Sequence, residues 1–316
     1  MPAILSTAPG KVILLGEHAV VYHHPAIAVP VNQIHASAMI TPNPRQAPGI
    51  VRVQAPDIQL EALLSDLPSG DPLRQAITLV LTSLSIGTPP AMTIRITSSI
   101  PVASGLGSGA AVSVSLIKAL SAYLGHPFSN EQVSELAFQV EKIHHGTPSG
   151  IDNTVITYDR PVFFLRDQPF ECLSVGKPLK MIIGDTGIQS PTALAVGDVR
   201  KMWMADPVHF NALFDQIEAT VRQGKTALET GDLSFLGALM IRNHSLLQQL
   251  TVSSPELDRL VDASLQAGAI GAKLSGGGRG GNMIALVDEG SSLKIARRLR
   301  EMGAVRTIIT TIGQKV

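Results

Sequence analysis

A mixed helix-and-strand protein, built either as one large α/β unit or as two domains, is what this sequence predicts. Three observations carry that reading. The chain has 316 residues, more than one small module needs when a domain typically takes about 100–200. Hydrophobic residues make up 45% and charged residues 16%, a balance that can bury a sizeable core and is too apolar for disorder. Segments with the period-two pattern of strands are interleaved with segments of helical period along the chain.

Taken in order, residues 11–15 form a short β-rich run, and residues 34–41 alternate loosely. Two prolines and an asparagine over 41–46 mark a loop. Leu73, Ile77, Val80 and Leu81 carry helical spacing over 72–84, and MTIRITS at 92–98 alternates cleanly as a strand. A glycine-rich turn at 104–109 precedes a helix over 110–124, which stops at Gly125. Ser129 and Gln132 fit a capping box, so a second helix starts there and ends near His145. After Phe164 the texture turns polar and proline-bearing, and the division between two domains, 1–168 and 169–316, is placed there. The second part reads as a strand at 180–184 and helices at 191–204, 207–229, 233–250 and 256–267. It then runs strand 269–275, glycine loop 276–281, strand 282–287, helix 291–302 and strand 305–311.

Composition excludes several functions. Lys+Arg and Asp+Glu each number 25, so the formal net charge is zero, unlike the basic footprint of a nucleic-acid binder. Aromatic residues are only 4%, which leaves few platforms on which bases could stack. The single cysteine, Cys172, permits neither an intramolecular disulfide nor a cysteine zinc site. The first ten residues show no signal-peptide pattern, and no apolar run approaches the ~20 residues that span a bilayer. A cytoplasmic protein is expected.

Three glycine-rich signals compete for phosphate. Gly224-Lys225-Thr226 ends like a Walker loop, but the glycine required five places earlier is Ala219, so it is read as helix surface. Gly276-Gly277-Gly278-Arg279-Gly280-Gly281 spells a dinucleotide fingerprint, yet it leads into another strand rather than a helix. A plain hairpin turn would not need five glycines, so its backbone must bend tightly or approach something closely. The third signal lies between a strand and a helix: Pro101-Val102-Ala103-Ser104-Gly105-Leu106-Gly107-Ser108-Gly109-Ala110. Its glycines let successive N–H groups point inward at a helix N-terminus, the arrangement that cradles phosphates, although a tight turn with small-residue packing has the same letters.

Phosphoryl transfer also needs a metal ligand, a group for the acceptor's proton and cations for developing charge. Glu141 near the end of the second helix, Asp152 in a Pro/Gly-rich loop, Lys11 at the first strand, and Glu17 with His18 after Gly16 are the candidates. Each also has an ordinary explanation: a solvated helix charge for Glu141, a turn or cap for Asp152. Glu141 and His144 spell E-x-x-H, but no second such pair exists, which removes a di-iron site.

Three segments together, Pro9-Gly10-Lys11 through Gly16-Glu17-His18-Ala19-Val20-Val21-Tyr22, the loop from Gly105, and the loop from Lys273 to Gly281, resemble the motifs of the GHMP kinases. The segment at 16–28 and His145-Gly146-Thr147-Pro148-Ser149-Gly150-Ile151-Asp152-Asn153 make the chain similar to their mevalonate kinase branch. The resemblance implies an α+β, two-domain GHMP kinase fold with nucleotide and substrate in the cleft between the domains. It implies ATP and Mg²⁺, transfer of the γ-phosphate to the 5-hydroxyl of mevalonate, and small-molecule partners without nucleic acid or membrane. A homodimer is left open. Asp152 would be the general base and Lys11 the cation beside it. Glu141, with Ser108, would hold Mg²⁺, Gly105–Ala110 would wrap the phosphates with Pro101 and Ser104 also at the ATP, and Glu17, His18 and Thr186 would face the substrate. Phosphomevalonate kinase and a non-catalytic metabolite-binding relative are the alternatives. The segment 16–28 has no Lys or Arg, whereas a phosphorylated acceptor would call for such cations. The chain departs from the family in having Gly109 where a magnesium-binding serine usually stands, His23 for a glycine, and Arg279 within the third glycine run.

Overall fold

The computed structural model describes residues 2–101, 104–145, 149–189 and 192–313. Val102, Ala103, Gly146, Thr147 and Pro148, which belong to segments singled out above, and Pro191, the expected start of a helix, lie outside the described residues. The chain divides into two compact units, one of residues 2–10, 34–101 and 107–159, the other of 11–33, 104–106 and 160–313.

The first unit sets strands against helices. Strands β1 (Ile4–Leu15) and β2 (Ala26–Pro42) each contribute one half to it. With them stand β3 (Val51–Ala55), β4 (Leu60–Leu63) and β5 (Met92–Ser98) in the order β4-β3-β5-β2, with β1 also on β2. β5 runs antiparallel to β2 with Ala36 opposite Ser98 and parallel to β3 with Val51 opposite Met92. Its alternation buries Met92, Ile94 and Ile96, and helix α2 packs on it.

Helix α1 (Pro72–Ser83) begins where Asp71 accepts the N–H groups of Leu73 and Arg74 at 2.9 and 3.1 Å and Pro72 takes a position that needs no donor. Helix α2 (Ser108–Tyr123) contacts α1, α3 (Asn130–His145) and α4 (Ile151–Tyr158). Being apolar on most of its circumference, α2 is the core of this unit rather than its coat, with Ala111, Val114, Leu116, Ile117, Ala119 and Leu120 buried. The α3 capping box forms as its letters require: Gln132 N–H donates to Ser129 Oγ, and Ser129 N–H to Gln132 Oε1. Asp152 is not in a loop, as its Pro/Gly neighbours suggested. It occupies the first turn of α4, which starts from Gly150 at φ 88°.

In the second unit the remaining halves of β1 and β2 continue, and β2 pairs with β6 (Val162–Phe164), which pairs with β7 (Glu171–Cys172). A four-stranded antiparallel sheet follows, ordered β11-β8-β10-β9, from β8 (Leu179–Asp185), β9 (Gly271–Ser275), β10 (Asn282–Leu286) and β11 (Arg306–Ile312). Its helices are α5 (Thr192–Ala205), α6 (Pro207–Thr230), α7 (Leu233–Gln249), α8 (Pro255–Gln266) and α9 (Ser292–Glu301). α7 and α8 lie on β9, and α9 on β8 and β11. Gly224-Lys225-Thr226 lies within α6, but its glycine is not at the surface. A Cβ at Gly224 would come 2.2 Å from Leu15 Cδ1, so the glycine lets α6 close on β1.

Candidate active site

In the second unit the site grows from the end of β1. Lys11, buried, donates its N–H to Leu106 O at 2.9 Å, which ties the strand to the glycine-loop segment 104–106. Ile13 exchanges two hydrogen bonds with Ser275, its N–H donating to Oγ at 3.1 Å and its carbonyl accepting from that hydroxyl at 3.0 Å. Gly16 N–H donates to Asn243 Oδ1 on α7 at 3.1 Å, and the next residue of that helix, His244, accepts Leu274 N–H at Nδ1.

Glu17 therefore enters a fully buried place, where Lys273 Nζ donates to its Oε1 and, at 2.5 Å, to Leu274 O. Burial pushes the Glu17 carboxyl up and the Lys273 ammonium down, while the charge of each favours the ionised form of the other. Lys11 is near enough for its charge also to favour the Glu17 carboxylate. His18 stands at φ 61° with Nε2 donating to Gly277 O at 3.0 Å. Burial lowers its pKa to about 4, only partly offset by the Gly277 hydrogen bond and reinforced by the Arg279 charge, so the imidazole is neutral. The 3.0 Å bond puts its proton on Nε2 and leaves Nδ1 as an acceptor.

The third glycine loop is the hub of this region. Thr186 donates both its N–H and its hydroxyl to Gly281 O at 2.9 Å, and Gly281 N–H donates to Ile188 O at 2.8 Å. Asn282 Nδ2 donates to Ser104 O. A Cβ at Gly278, φ 76°, would come 1.9 Å from Val252 O, which is why no side chain fits there. Arg279 lies beside it at φ 58°, its N–H donating to Val252 O at 2.8 Å and its guanidinium to Asp198 Oδ2 on α5 at 2.6 Å. This loop, with Gly276, Gly277, Gly278 and Gly280, holds His18 and Thr186, while the strands on either side of it hold Glu17 through Lys273 and Ser104 through Asn282.

The first unit carries the other candidates on three helices that touch one another. Gly107, at φ 79°, opens α2 without a side-chain cap, so the N–H groups of Ser108, Gly109 and Ala110 stand at a bare helix N-terminus. Pro101 also lies in this unit, whereas Gly105, at φ 76°, belongs to the second. Nothing lies within 4 Å of where a Gly109 Cβ would be. Glu141, half-buried, is in the next-to-last turn of α3. Asp152, half-buried, follows Gly150 in α4, a helix held to α3 by Asn153 Nδ2 donating to Ser134 O and Oγ at 3.1 and 2.9 Å. An acid in a first helical turn is well placed against the helix dipole. His23 caps the 3-10 turn Ala19–Tyr22 at φ 62° and faces Asp167 at 3.6 Å, both exposed. Its left-handed backbone is one that glycine adopts without strain.

Reading the sequence alone assigned no role to Lys273, Ser275, Asn243 or Asn282. A lysine inside the apolar strand GAKLS was the available signal, since a charge is rarely buried without a partner.

The family described as GHMP kinases N terminal domain matches residues 73–160, and that described as GHMP kinases C terminal matches 225–305. A mevalonate kinase of Thermococcus sibiricus is 34% identical over 99% of this chain and 97% of its own length. The structure of L. major mevalonate kinase in complex with R-mevalonate superposes with a TM-score of 0.84 at 33% identity, covering 99% of this chain and 96% of that one. The Methanococcus jannaschii mevalonate kinase structure gives 0.85 at 26% identity over 98% of both chains. Likeness of this extent, in sequence and in fold together, places the chain in the mevalonate kinase family of the GHMP kinases.

Proposed function

We propose that this protein transfers the γ-phosphate of ATP to the 5-hydroxyl of mevalonate, giving 5-phosphomevalonate and ADP. The observation that carries the reading is near-full-length likeness to mevalonate kinases, one of them solved with R-mevalonate bound.

In this reading Asp152 takes the proton as the hydroxyl oxygen bonds to the γ-phosphorus and the bond to the ADP oxygen breaks. A neutral alcohol is a poor nucleophile, so removing that proton in the transition state is worth about 10²- to 10⁴-fold. Lys11 lowers the hydroxyl's pKa and neutralises charge gathering on the transferring group. The bare N-terminus of α2 and the turn before it supply N–H donors to the phosphates. Glu17, held by Lys273, and His18, held by Gly277, orient the acceptor.

Mg²⁺ fits this donor set. The carboxylate of Glu141 and the hydroxyl of Ser108 are hard oxygen donors, and they lie on helices in mutual contact. Among the described residues no cluster of three or more His, Cys, Asp or Glu gathers. A metal held here would therefore rest on few protein ligands plus phosphate and water, the usual manner for Mg²⁺. When bound, it would neutralise charge on the β- and γ-phosphates.

Among the described residues no helix is long and apolar enough to cross a membrane, and a reaction that consumes ATP suits a cytoplasmic enzyme. The test is ADP release with Mg²⁺ and ATP, comparing mevalonate, 5-phosphomevalonate, homoserine and galactose. Turnover on mevalonate alone, lost in Asp152→Asn, is expected. Turnover on 5-phosphomevalonate alone would sink the substrate assignment.

A further inference from the structure

Arg279 is a non-glycine residue at φ 58°, with Gly278, Gly280 and Gly281 around it also at positive φ. A side chain at such a backbone angle is strained relative to glycine, so its presence there calls for a task. The structure shows where the side chain goes. Its guanidinium donates to Asp198 Oδ2 at 2.6 Å on α5 and to Thr251 O at 3.4 Å. Asp198 answers to this contact, since the hydrogen bond from Arg279 is the first of the causes that hold its carboxyl below the usual range. The guanidinium is therefore engaged by a carboxylate and by the backbone.

Two residues before Arg279, Gly277 presents its carbonyl to His18 Nε2 at 3.0 Å. The loop between is pinned by Arg279 N–H on Val252 O, and the position of Gly277 is confined by Thr192 on the first turn of α5, whose Oγ1 would lie 2.9 Å from a Cβ there. The helix that carries Asp198 thus also abuts the carbonyl-bearing glycine. His18 Nδ1 is buried with no hydrogen-bond partner among the described residues. A buried, unpartnered acceptor is costly unless something supplies a donor.

We propose that Arg279, through its ion pair with Asp198, is a positioning residue. It fixes the third glycine loop so that the Gly277 carbonyl holds His18 in the Nε2–H tautomer and leaves Nδ1 to accept a hydroxyl of the substrate. The partner chemistry follows from the tautomer. A bare ring nitrogen accepts a hydroxyl proton and offers nothing to a carboxylate or phosphate oxygen. The inference rests on the reading that His18 faces the phosphoryl acceptor, and it gives Arg279 no direct contact with phosphate.

The experiment compares full-length wild type with Arg279→Gln, Arg279→Lys, Arg279→Gly and Asp198→Asn. Steady-state kinetics with mevalonate, ATP and Mg²⁺ are measured alongside the ¹⁵N spectrum of His18 without substrate. Expected for Arg279→Gln and Asp198→Asn is a rise in the mevalonate KM of about tenfold, the worth of one hydrogen bond, with the ATP KM and kcat within about twofold. Arg279→Lys restores part of the loss. Wild-type His18 shows the Nε2–H tautomer, and the weakened variants show a mixture. Arg279→Gly relieves the backbone strain and keeps the wild-type Tm, which separates loss of positioning from loss of fold. A rise in the ATP KM with mevalonate unaffected would overturn the proposal in favour of a phosphate contact, and an unchanged tautomer in every variant would overturn it outright. If wild type turns over no mevalonate, the functional reading fails, while the tautomer measurement still decides the role of Arg279.

Discussion

The two groups of candidate residues are held by opposite means. Around Gly16–His18 the side chains are fixed by hydrogen bonds spanning 227 to 262 positions of sequence, from Gly16 to Asn243, Glu17 to Lys273 and Ile13 to Ser275. Ser108, Glu141 and Asp152 instead ride on helices α2, α3 and α4, each placed by packing and a local start or cap. Buried polar atoms without partners among the described residues occur in both groups: Glu17 Oε2, His18 Nδ1, Asn243 Nδ2 and Asn282 Oδ1 in the first, Asn153 Oδ1 and Thr157 Oγ1 on α4 in the second. A region assembled from a polar network fails in stability when one member is removed. Residues at helix ends can be changed with the fold intact.

The largest expected effect lies in the helical group. Asp152→Asn should lower kcat by about 10³-fold with Tm within a degree or two of wild type, as read by steady-state assay and calorimetry. A collapse in Tm instead would break the contrast. In the network, Lys273→Met should destabilise by about 3–5 kcal/mol, because Glu17 is left buried and unpaired. Adding Glu17→Gln should recover part of that in denaturant titration, and failure of the double variant to recover any would remove the ion pair from the account. The next effect is on pH. His18 is neutral when folded, with a pKa near 4, and takes a proton near 6.5 when unfolded. The unfolded chain binds more protons between those values, so the contribution of about 3 kcal/mol is complete above pH 6.5 and is lost as pH falls toward 4. His18→Gln should flatten that slope in Tm against pH. The smallest is Gly109→Ser. With open space around the site, stability should move by less than about 0.5 kcal/mol, while the added hydroxyl lowers the Mg²⁺ concentration needed for half-maximal turnover.

Much of this was legible where local chemistry decides structure. The strand at Met92–Ser98 and the helix starts at Pro72 and Asn130 follow from alternation, a proline at the first helical position and a capping box. Helix α4 was not legible. Thr154, Val155, Ile156 and Thr157 are β-branched and disfavour helix, but burial of Val155 and Ile156 overrides that preference. Strand β2 was read only in part, since its first half holds Pro30 and blends into the motif at 24–28. In the site, Lys11, Glu17 and His18 stand within eight positions and announce themselves, whereas the lysine that holds Glu17 lies 256 positions away. Pairing over such a span leaves no periodic trace in the sequence.

The pair of hydrogen bonds between Ile13 and Ser275 has a consequence for how the protein is made. Residues 11–33 leave the ribosome early, yet three of their partners in the same unit, Asn243, Lys273 and Ser275, lie more than 220 positions on. At ribosomal speeds of about 5–20 residues per second, the 262 positions between Ile13 and Ser275 amount to a wait of about 13–50 s. For that time β1 has only β2 beside it and Glu17 lacks Lys273, so the nascent chain, rather than the finished enzyme, is where this segment is most exposed to aggregation and to chaperones.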